Sequence, residues 1–125
     1  LIEKPWCVDI CAAGAIDLQQ RWYNHSEEFA EYYNVKEKAI HVQHFSEHTA
    51  MKIRMILTCA IATEHENLVL AALGCGVFDN DPNIVASLFK QVLNEAPFKN
   101  RFKRVAFAVL GEPNFSIFKK ILEAS

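Results

Sequence analysis

The sequence NLVLAALGCGVFDNDP, residues 67–82, joins a short apolar run to two glycines and then to an Asp-Pro pair. A continuous apolar run that ends at a glycine is typical of a buried β-strand. Gly74 and Gly76 allow a sharp turn and leave backbone N–H groups uncovered by side chains. Asp81 stands at an N-cap position and Pro82 at the first helical position, where its missing N–H has no cost. The pattern therefore predicts a strand, a glycine loop and a helix, in that order.

The residues after the loop have the spacing of a helix with one apolar face: Ile84, Val85, Leu88, Phe89, Val92 and Leu93. A strand, a glycine loop and a helix N-terminus direct free N–H groups and the positive end of the helix dipole to one point, where a phosphate can bind. The loop is not a G-x-G-x-x-G motif, because Asp79 replaces the third glycine, and no Gly-Lys-Ser/Thr follows it. The alternative is an ordinary strand-to-helix turn that needs two glycines. Phe78 at the loop tip favours a ligand, because an aromatic ring there has to be covered by something.

The composition fits one globular domain and excludes several classes of protein. The chain has 125 residues, of which 51% are hydrophobic and 22% charged. A net charge of −2 and a pI near 6.2 give no support for direct nucleic-acid binding. No apolar run is long enough for a membrane span, so no membrane partner is predicted. The four cysteines lack C-x-x-C spacing, and we expect them to be reduced, in an intracellular protein.

Outside the glycine loop, strands and helices are predicted to alternate. Residues 5–13 form a strand candidate that ends in Ala12, Ala13 and Gly14, small residues that admit a ligand or merely pack under a helix. Residues 46–62 are predicted to be a helix with Ser46 as its N-cap, residues 105–110 a buried strand, and a last helix begins near Phe115. This order predicts βα units, a largely parallel sheet and ligand binding at the carboxyl ends of the strands.

Two further groups of residues leave alternatives open. The aromatic residues of the 17–38 connection form either a stacking surface or, as we expect, a satellite hydrophobic cluster: Trp22, Tyr23, Phe29, Tyr32 and Tyr33. His44 and His48 would share one helix face near His41, at a spacing that suits a metal ion. No third ligand stands at H-E-x-x-H spacing, so solvated or hydrogen-bonded histidines are favoured, and no metal or cofactor is predicted.

A resemblance to a known family is carried by LVLAALGCGVFDNDPNIV at residues 68–85 and by VAFAVL at residues 105–110. Together they resemble the C-terminal half of the microbial-type poly(ADP-ribose) glycohydrolase family, a branch of the macrodomain fold. PWCVDI at residues 5–10 and the two alanines after it resemble the strand that precedes this half. The resemblance implies an α/β fold with three α/β/α layers and a mostly parallel central sheet, present in residues 1–125 as its C-terminal half.

The resemblance also implies an ADP-ribose site. The backbone N–H groups of four loop residues would bind the diphosphate, and Phe78 would lie against the distal ribose. Phe115, after Asn114, would stack on adenine, and Ala12 and Ala13 would let the ligand come close. The ligand-binding residues expected on this basis are Gly74, Cys75, Gly76, Val77, Phe78, Asn114, Phe115, Ala12 and Ala13.

The catalytic motifs of the family lie in its N-terminal half, and these 125 residues contain neither the Gly-Gly-Gly loop nor the Gln-Glu-Glu motif. Gly14 and Ala15 also stand where the family tends to carry an asparagine. No catalytic residue is therefore assigned, and hydrolysis of ADP-ribosyl linkages is expected only together with the missing half. The expected partners are ADP-ribose or an ADP-ribosylated protein, and the unpaired sheet edge predicts self-association or pairing with that half. A non-catalytic ADP-ribose or nucleotide-binding module and another type of phosphate-binding α/β domain remain as alternatives.

Overall fold

The chain folds into four helices and four short strands in the computed structural model, which describes residues 4–19, 27–34 and 36–124, without the side chains of 27–29. Within these residues, no helix has the length and apolar character needed to cross a membrane. The elements follow one another as α1 (Glu27–Tyr32), β1 (Tyr33–Asn34), β2 (Ala39–Ile40), α2 (Val42–Ala62), β3 (Asn67–Ala71), α3 (Pro82–Leu93), β4 (Arg104–Ala108) and α4 (Asn114–Glu123).

The glycine loop lies in a parallel βαβ unit, as the sequence predicts. Strands β3 and β4 pair in parallel, with Asn67 opposite Arg104 and Ala71 opposite Ala108, and α3 forms the crossover between them. The other sheet of the described residues is the antiparallel pair of β1 and β2, two residues each. A mixed α/β fold is therefore confirmed, and the three-layer arrangement stays a prediction.

The core lies where α3 packs against both α2 and α4. Its helical residues recur at helix spacing, because each helix turns one apolar face inward. Phe107 of β4 joins the helices to the sheet, with its ring centroid 5.1 Å from that of Phe89 and 5.9 Å from that of Phe118. The largest fully buried side chains are Phe45, Phe89, Phe118, Ile16, Ile53, Leu57, Val85, Val92 and Thr49.

Residues 5–13 do not form the predicted strand. They have no regular structure, and Trp6, Val8 and Ile10, which alternate along the chain, are all exposed. Residues 7–11 line the same cavity of about 670 Å³ as residues 67–70 of β3. The segment thus lies beside β3 without a hydrogen-bonded ladder. An extended segment with an unburied apolar face lacks the packing that holds a strand in a sheet.

Helix α2 begins at Val42, four residues before the predicted start at Ser46. His41 is its N-cap, without a side-chain capping bond. The helix extends this far because Phe45 and Thr49, one turn apart, are both buried. Among the aromatic residues of the preceding connection, Trp22 and Tyr23 lie outside the described residues. Tyr32 belongs to the core cluster, which fits a hydrophobic cluster rather than a stacking surface.

Candidate functional site

The loop between β3 and α3 is closed by its own backbone hydrogen bonds. The N–H of Cys75 donates to the carbonyl of Ala72 (3.1 Å), and the N–H of Asp79 donates to the carbonyl of Gly76 (3.1 Å). The N–H of Asn80 then donates to the carbonyl of Gly74 (3.0 Å), which closes the turn before the helix. Because Cys75 uses its N–H inside the loop, that group is not free for a diphosphate.

Gly74 is the residue on which this turn depends. Its φ of +73° lies in the left-handed region, where a side chain is strained. A Cβ at this position would lie 2.1 Å from Oδ1 of Asn80 and 2.9 Å from Cβ of Ala15. The protein itself therefore requires glycine here, because the side chains of Asn80 and Ala15 already occupy the space of a Cβ.

Asn80 connects the loop to the chain before α1. Its side chain is buried, and Nδ2 donates to the carbonyl of Ile16 (2.8 Å) and to that of Phe78 (3.0 Å). The N–H of Leu18 also donates to the carbonyl of Phe78 (3.0 Å). Sequence reasoning did not assign Asn80 a role, since its main partner lies 64 positions away. The one local indication of a structural role is that this amide side chain directly precedes the helix cap Asp81.

The outer part of the loop presents free donors. Within the described part of the chain, the backbone N–H groups of Gly76, Val77 and Phe78 donate to no other group. All three residues are exposed, and a Cβ built on Gly76 would meet no atom within 4 Å. The φ of Gly76 is not positive, so the backbone at this position would not strain a side chain. The described residues therefore do not require glycine at this position.

The N-terminus of α3 is partly occupied by its own cap. Asp81 accepts a hydrogen bond from the N–H of Asn83 (2.8 Å), and its backbone carbonyl accepts one from Val85 (3.0 Å). Pro82 occupies the first helical position, and the predicted start of this helix is confirmed. The carboxylate satisfies one of the donors at the helix end and offsets part of its positive dipole. The free backbone donors near this helix end therefore lie mainly in the loop, at residues 76–78.

Cys75 adds no charge to the loop. Its thiol is buried and lies 3.6 Å from the carbonyl oxygen of Leu73, to which it donates. Burial, with a smaller effect from the nearby Asp81 carboxylate, raises the pKa of Cys75 to about 12. The thiol is neutral at physiological pH. Cys75 is consequently a packing residue with little nucleophilic character, and no thiolate opposes an anion at this loop.

The aromatic residues predicted to contact the ligand lie on the surface of the same region. Phe78 is 37% exposed and Phe115 is 48% exposed, so neither ring is part of the buried core. Phe115 stands in the first turn of α4 and lines a groove of about 820 Å³ between α3, β4 and α4. Both rings therefore have a free face that a ribose or a base can cover.

Asn114 joins the start of α4 to the glycine loop. Its Nδ2 donates to the carbonyl of Cys75 (3.0 Å), so its amide holds the loop rather than pointing freely into solvent. The glycine loop and the beginning of α4, which follow the carboxyl ends of β3 and β4, therefore meet at one edge. Ala12 and Ala13 are exposed in the irregular segment before Ala15. The link that the structure gives between this segment and the loop is through Ala15, Ile16 and Leu18.

A parallel βαβ unit with a glycine loop before its crossover helix defines an α/β protein. Solved structures that are similar to this chain indicate a more specific class of protein. The chain is 36% identical to poly(ADP-ribose) glycohydrolase from Deinococcus radiodurans in complex with ADP-ribose, with a TM-score of 0.61 over 65% of this chain and 34% of that one. The structure of the Deinococcus enzyme in apo form matches over the same shares with the same identity and TM-score.

A poly(ADP-ribose) glycohydrolase from a second organism is also similar to this chain. The poly(ADP-ribose) glycohydrolase from Thermomonospora curvata is 31% identical, with a TM-score of 0.55 over 71% of this chain and 31% of that one. The similarity to microbial-type poly(ADP-ribose) glycohydrolases that the sequence indicates is thereby confirmed. The matched part spans about a third of the length of these proteins. No protein-family model matches the chain, and no curated protein matches it.

Proposed function

We propose that this chain is the ADP-ribose-binding part of a poly(ADP-ribose) glycohydrolase-like macrodomain. The observation that carries the proposal is the set of exposed, unpartnered N–H groups at Gly76, Val77 and Phe78, next to the N-terminus of α3. Successive free backbone N–H groups beside a helix N-terminus are a common element of anion-binding sites. The Deinococcus poly(ADP-ribose) glycohydrolase, with 36% sequence identity to this chain, has been solved in complex with ADP-ribose.

Each part of ADP-ribose has a candidate contact in this arrangement. The diphosphate would accept hydrogen bonds from the N–H groups of residues 76–78, with the ring of Phe78 against the distal ribose. Phe115 would stack on adenine from the first turn of α4, which Asn114 fixes to the loop. Ala12 and Ala13 would border the site on the remaining side. The Cys75 N–H, already bonded to Ala72, contributes through the shape of the loop.

The proposed domain needs more chain than residues 1–125 provide. The exposed, alternating side chains of Trp6, Val8 and Ile10 are the pattern of a strand whose apolar face is uncovered. We propose that the N-terminal half of the macrodomain covers this face, completes the sheet and supplies the second helical layer. It would also supply the catalytic carboxylate, for which no residue of this chain is a candidate.

Calorimetric titration of the chain with ADP-ribose tests the binding proposal. We expect saturable binding that is lost in Gly76→Val, because the new side chain occupies the space of the diphosphate. Ala96→Val is the matched control, since it adds the same kind of bulk at an exposed position after the C-terminal end of α3. Equal affinity in both variants, or no binding by the wild-type chain, would contradict the proposal.

A hydrolysis assay separates the enzyme from a non-catalytic binding module. We expect purified residues 1–125 to release no ADP-ribose from poly(ADP-ribose), because the acid is not among them. Addition of the upstream part of the protein should restore release if the parent is an enzyme, and should leave it at zero if the parent is only a reader. Release by residues 1–125 alone, abolished by a substitution within them, would show that a catalytic residue was missed.

A further inference from the structure

A cluster of three metal-ligating side chains lies where α1 meets the first turns of α2. Glu31, His44 and His48 each offer one ligand atom, and the three atoms lie within 4.8 Å of one another. The carboxylate oxygen Oε1 of Glu31 is 3.1 Å from Nε2 of His44 and 4.0 Å from Nδ1 of His48. The cluster belongs to neither the glycine loop nor the groove beside α4.

The local fold brings these residues together. His44 and His48 are one turn apart on α2, so their rings lie side by side with centroids 4.2 Å apart. Glu31 reaches the two histidines because the chain reverses its direction through the antiparallel β1–β2 pair. After this reversal, the N–H of His41 donates to the carbonyl of Tyr32 (2.8 Å). The acidic ligand is therefore 13 residues before His44, at a spacing that no short motif describes.

Two imidazoles and one carboxylate are a donor set that binds zinc and related divalent ions. In a tetrahedral site with metal–ligand distances of about 2.0–2.1 Å, neighbouring ligand atoms are about 3.3 Å apart. The 3.1 Å and 4.0 Å separations are within a small side-chain rotation of that value. We propose that Glu31, His44 and His48 bind one divalent transition-metal ion, of which zinc(II) is the best fit, with the remaining position open.

The surroundings favour an ion that enters from solvent and is held from one side. The side chains of Glu31, His44 and His48 are between 37% and 52% exposed. On the protein side, the buried Tyr32 places its hydroxyl 2.6 Å from Nδ1 of His48 and packs edge-on against Phe45. This hydroxyl is bonded to the nitrogen that would bind the ion, so it would give up that bond when the ion binds and would be close enough to serve as a fourth ligand. The ion would tie α1 to α2 by a bond to each.

Cobalt(II) spectroscopy with wild-type chain and variants tests the site. Cobalt(II) at a site of nitrogen and oxygen ligands gives d–d absorption, whereas binding to the exposed thiols Cys7, Cys11 and Cys59 would add a sulfur charge-transfer band. His44→Gln, His48→Gln and Glu31→Gln remove the ligands one at a time. His41→Gln and Glu47→Gln are matched controls, because both residues are exposed, lie on or beside the first turns of α2 and are outside the cluster.

We expect one cobalt(II) per chain without a sulfur band, displaced by zinc(II), and at least about tenfold weaker binding in each ligand variant. Zinc(II) should raise the melting temperature of the wild-type chain and of both controls, and should leave that of the ligand variants unchanged. Binding that survives in the His44→Gln/His48→Gln double variant, or a d–d spectrum absent from the wild-type chain, would overturn the proposal. The melting temperature without metal shows whether each variant is folded.

Discussion

Gly74 and Gly76 stand two positions apart and have different reasons to be glycine. At Gly74, the φ of +73° and the contact with Asn80 exclude a side chain on account of the protein alone. At Gly76, nothing in the protein occupies the space of a Cβ and the φ is not positive. Gly74 is therefore required by the fold, and under the proposed function Gly76 leaves room for the diphosphate.

The first prediction compares alanine at these two positions. Gly74→Ala should lower the free energy of unfolding by about 1–3 kcal/mol, because it combines a strained φ with an overlap. Gly76→Ala should leave it unchanged or raise it by up to about 1 kcal/mol, because alanine restricts the unfolded chain. Urea denaturation measures both. A larger loss at Gly76 than at Gly74 would be incompatible with this assignment.

The second prediction concerns Phe78, which is either a ligand contact or a packing residue. Its 37% exposure favours the ligand contact. Phe78→Ala should weaken ADP-ribose binding by about 1 kcal/mol, roughly fivefold, in line with other aromatic contacts. Its cost in the free energy of unfolding should be well below the 3–5 kcal/mol expected for Phe118→Ala in the core.

Calorimetry and denaturation of the two phenylalanine variants separate the alternatives. Phe118, which is 1% exposed, provides the reference for a core residue. If Phe78→Ala unfolds as easily as Phe118→Ala and binds ADP-ribose normally when folded, then Phe78 is a packing residue and the site has been misplaced.

At the residue scale, local chemistry was predictable and distant partners were not. Sequence neighbours are enough to predict that Asp81 caps α3 and that Pro82 begins it. They also predict the glycine at position 74. The role of Asn80 depends on the carbonyl of Ile16, and the position of Glu31 depends on a chain reversal. Neither contact has a sequence signal, because both residues are common on surfaces.

At the scale of the elements, α2 and α3 are linked by one ion pair at a shared edge. Arg54 of α2 donates to both carboxylate oxygens of Glu95, just after α3, at distances of 2.7–3.2 Å. The hydrogen bonds from Arg54 lower the pKa of Glu95, with burial opposing them. Because Arg54 is 40% exposed, solvent weakens the interaction.

The third prediction is the pH dependence of this link. A double-mutant cycle with Arg54→Met and Glu95→Gln should give a coupling free energy of about 0.5–1 kcal/mol near neutral pH. The pKa of Glu95 is lower in the folded than in the unfolded state. The stabilisation is therefore present above the ordinary pKa of glutamate and is lost as the pH falls through the lowered value. Coupling that grows on acidification would have the wrong sign.

The elements themselves were predictable where packing and sequence pattern agree. Strand β3 and helix α3 have local start and stop signals, and the structure places both within a few residues of the prediction. Residues 5–13 have the composition of a strand, yet they lack a buried face and remain irregular. A strand depends on its neighbours in the sheet, and no pattern within nine residues can report whether they are present.

At the scale of the whole molecule, the described surface carries exposed apolar side chains on and beside the sheet. They include Trp6, Ile10, Val69 and Leu110, of which Leu110 is 97% exposed. A two-stranded parallel sheet also leaves backbone donors and acceptors unpaired along its edges. Parallel sheets are normally covered on both faces, so such a surface favours association.

The fourth prediction is that residues 1–125 associate with themselves. Light scattering at tens of micromolar, roughly where weak strand pairing becomes visible, should give a mass above that of one chain. Val69→Lys on β3 should lower the mass, because it places a charge on the uncovered sheet. Met55→Lys, at an exposed apolar position of α2, should have little effect. A monodisperse monomer for the wild-type chain would count against the incomplete sheet.

The measurement that tests the central claim most directly is a titration of backbone amide NMR signals with ADP-ribose. If the glycine loop binds the diphosphate, the amide signals of Gly76, Val77 and Phe78 should shift saturably, together with that of Phe115. Adenosine, which lacks the diphosphate, should leave the three loop amides in place. The absence of saturable shifts at those amides with about 1–10 mM ADP-ribose, or equal shifts with adenosine, would contradict the account.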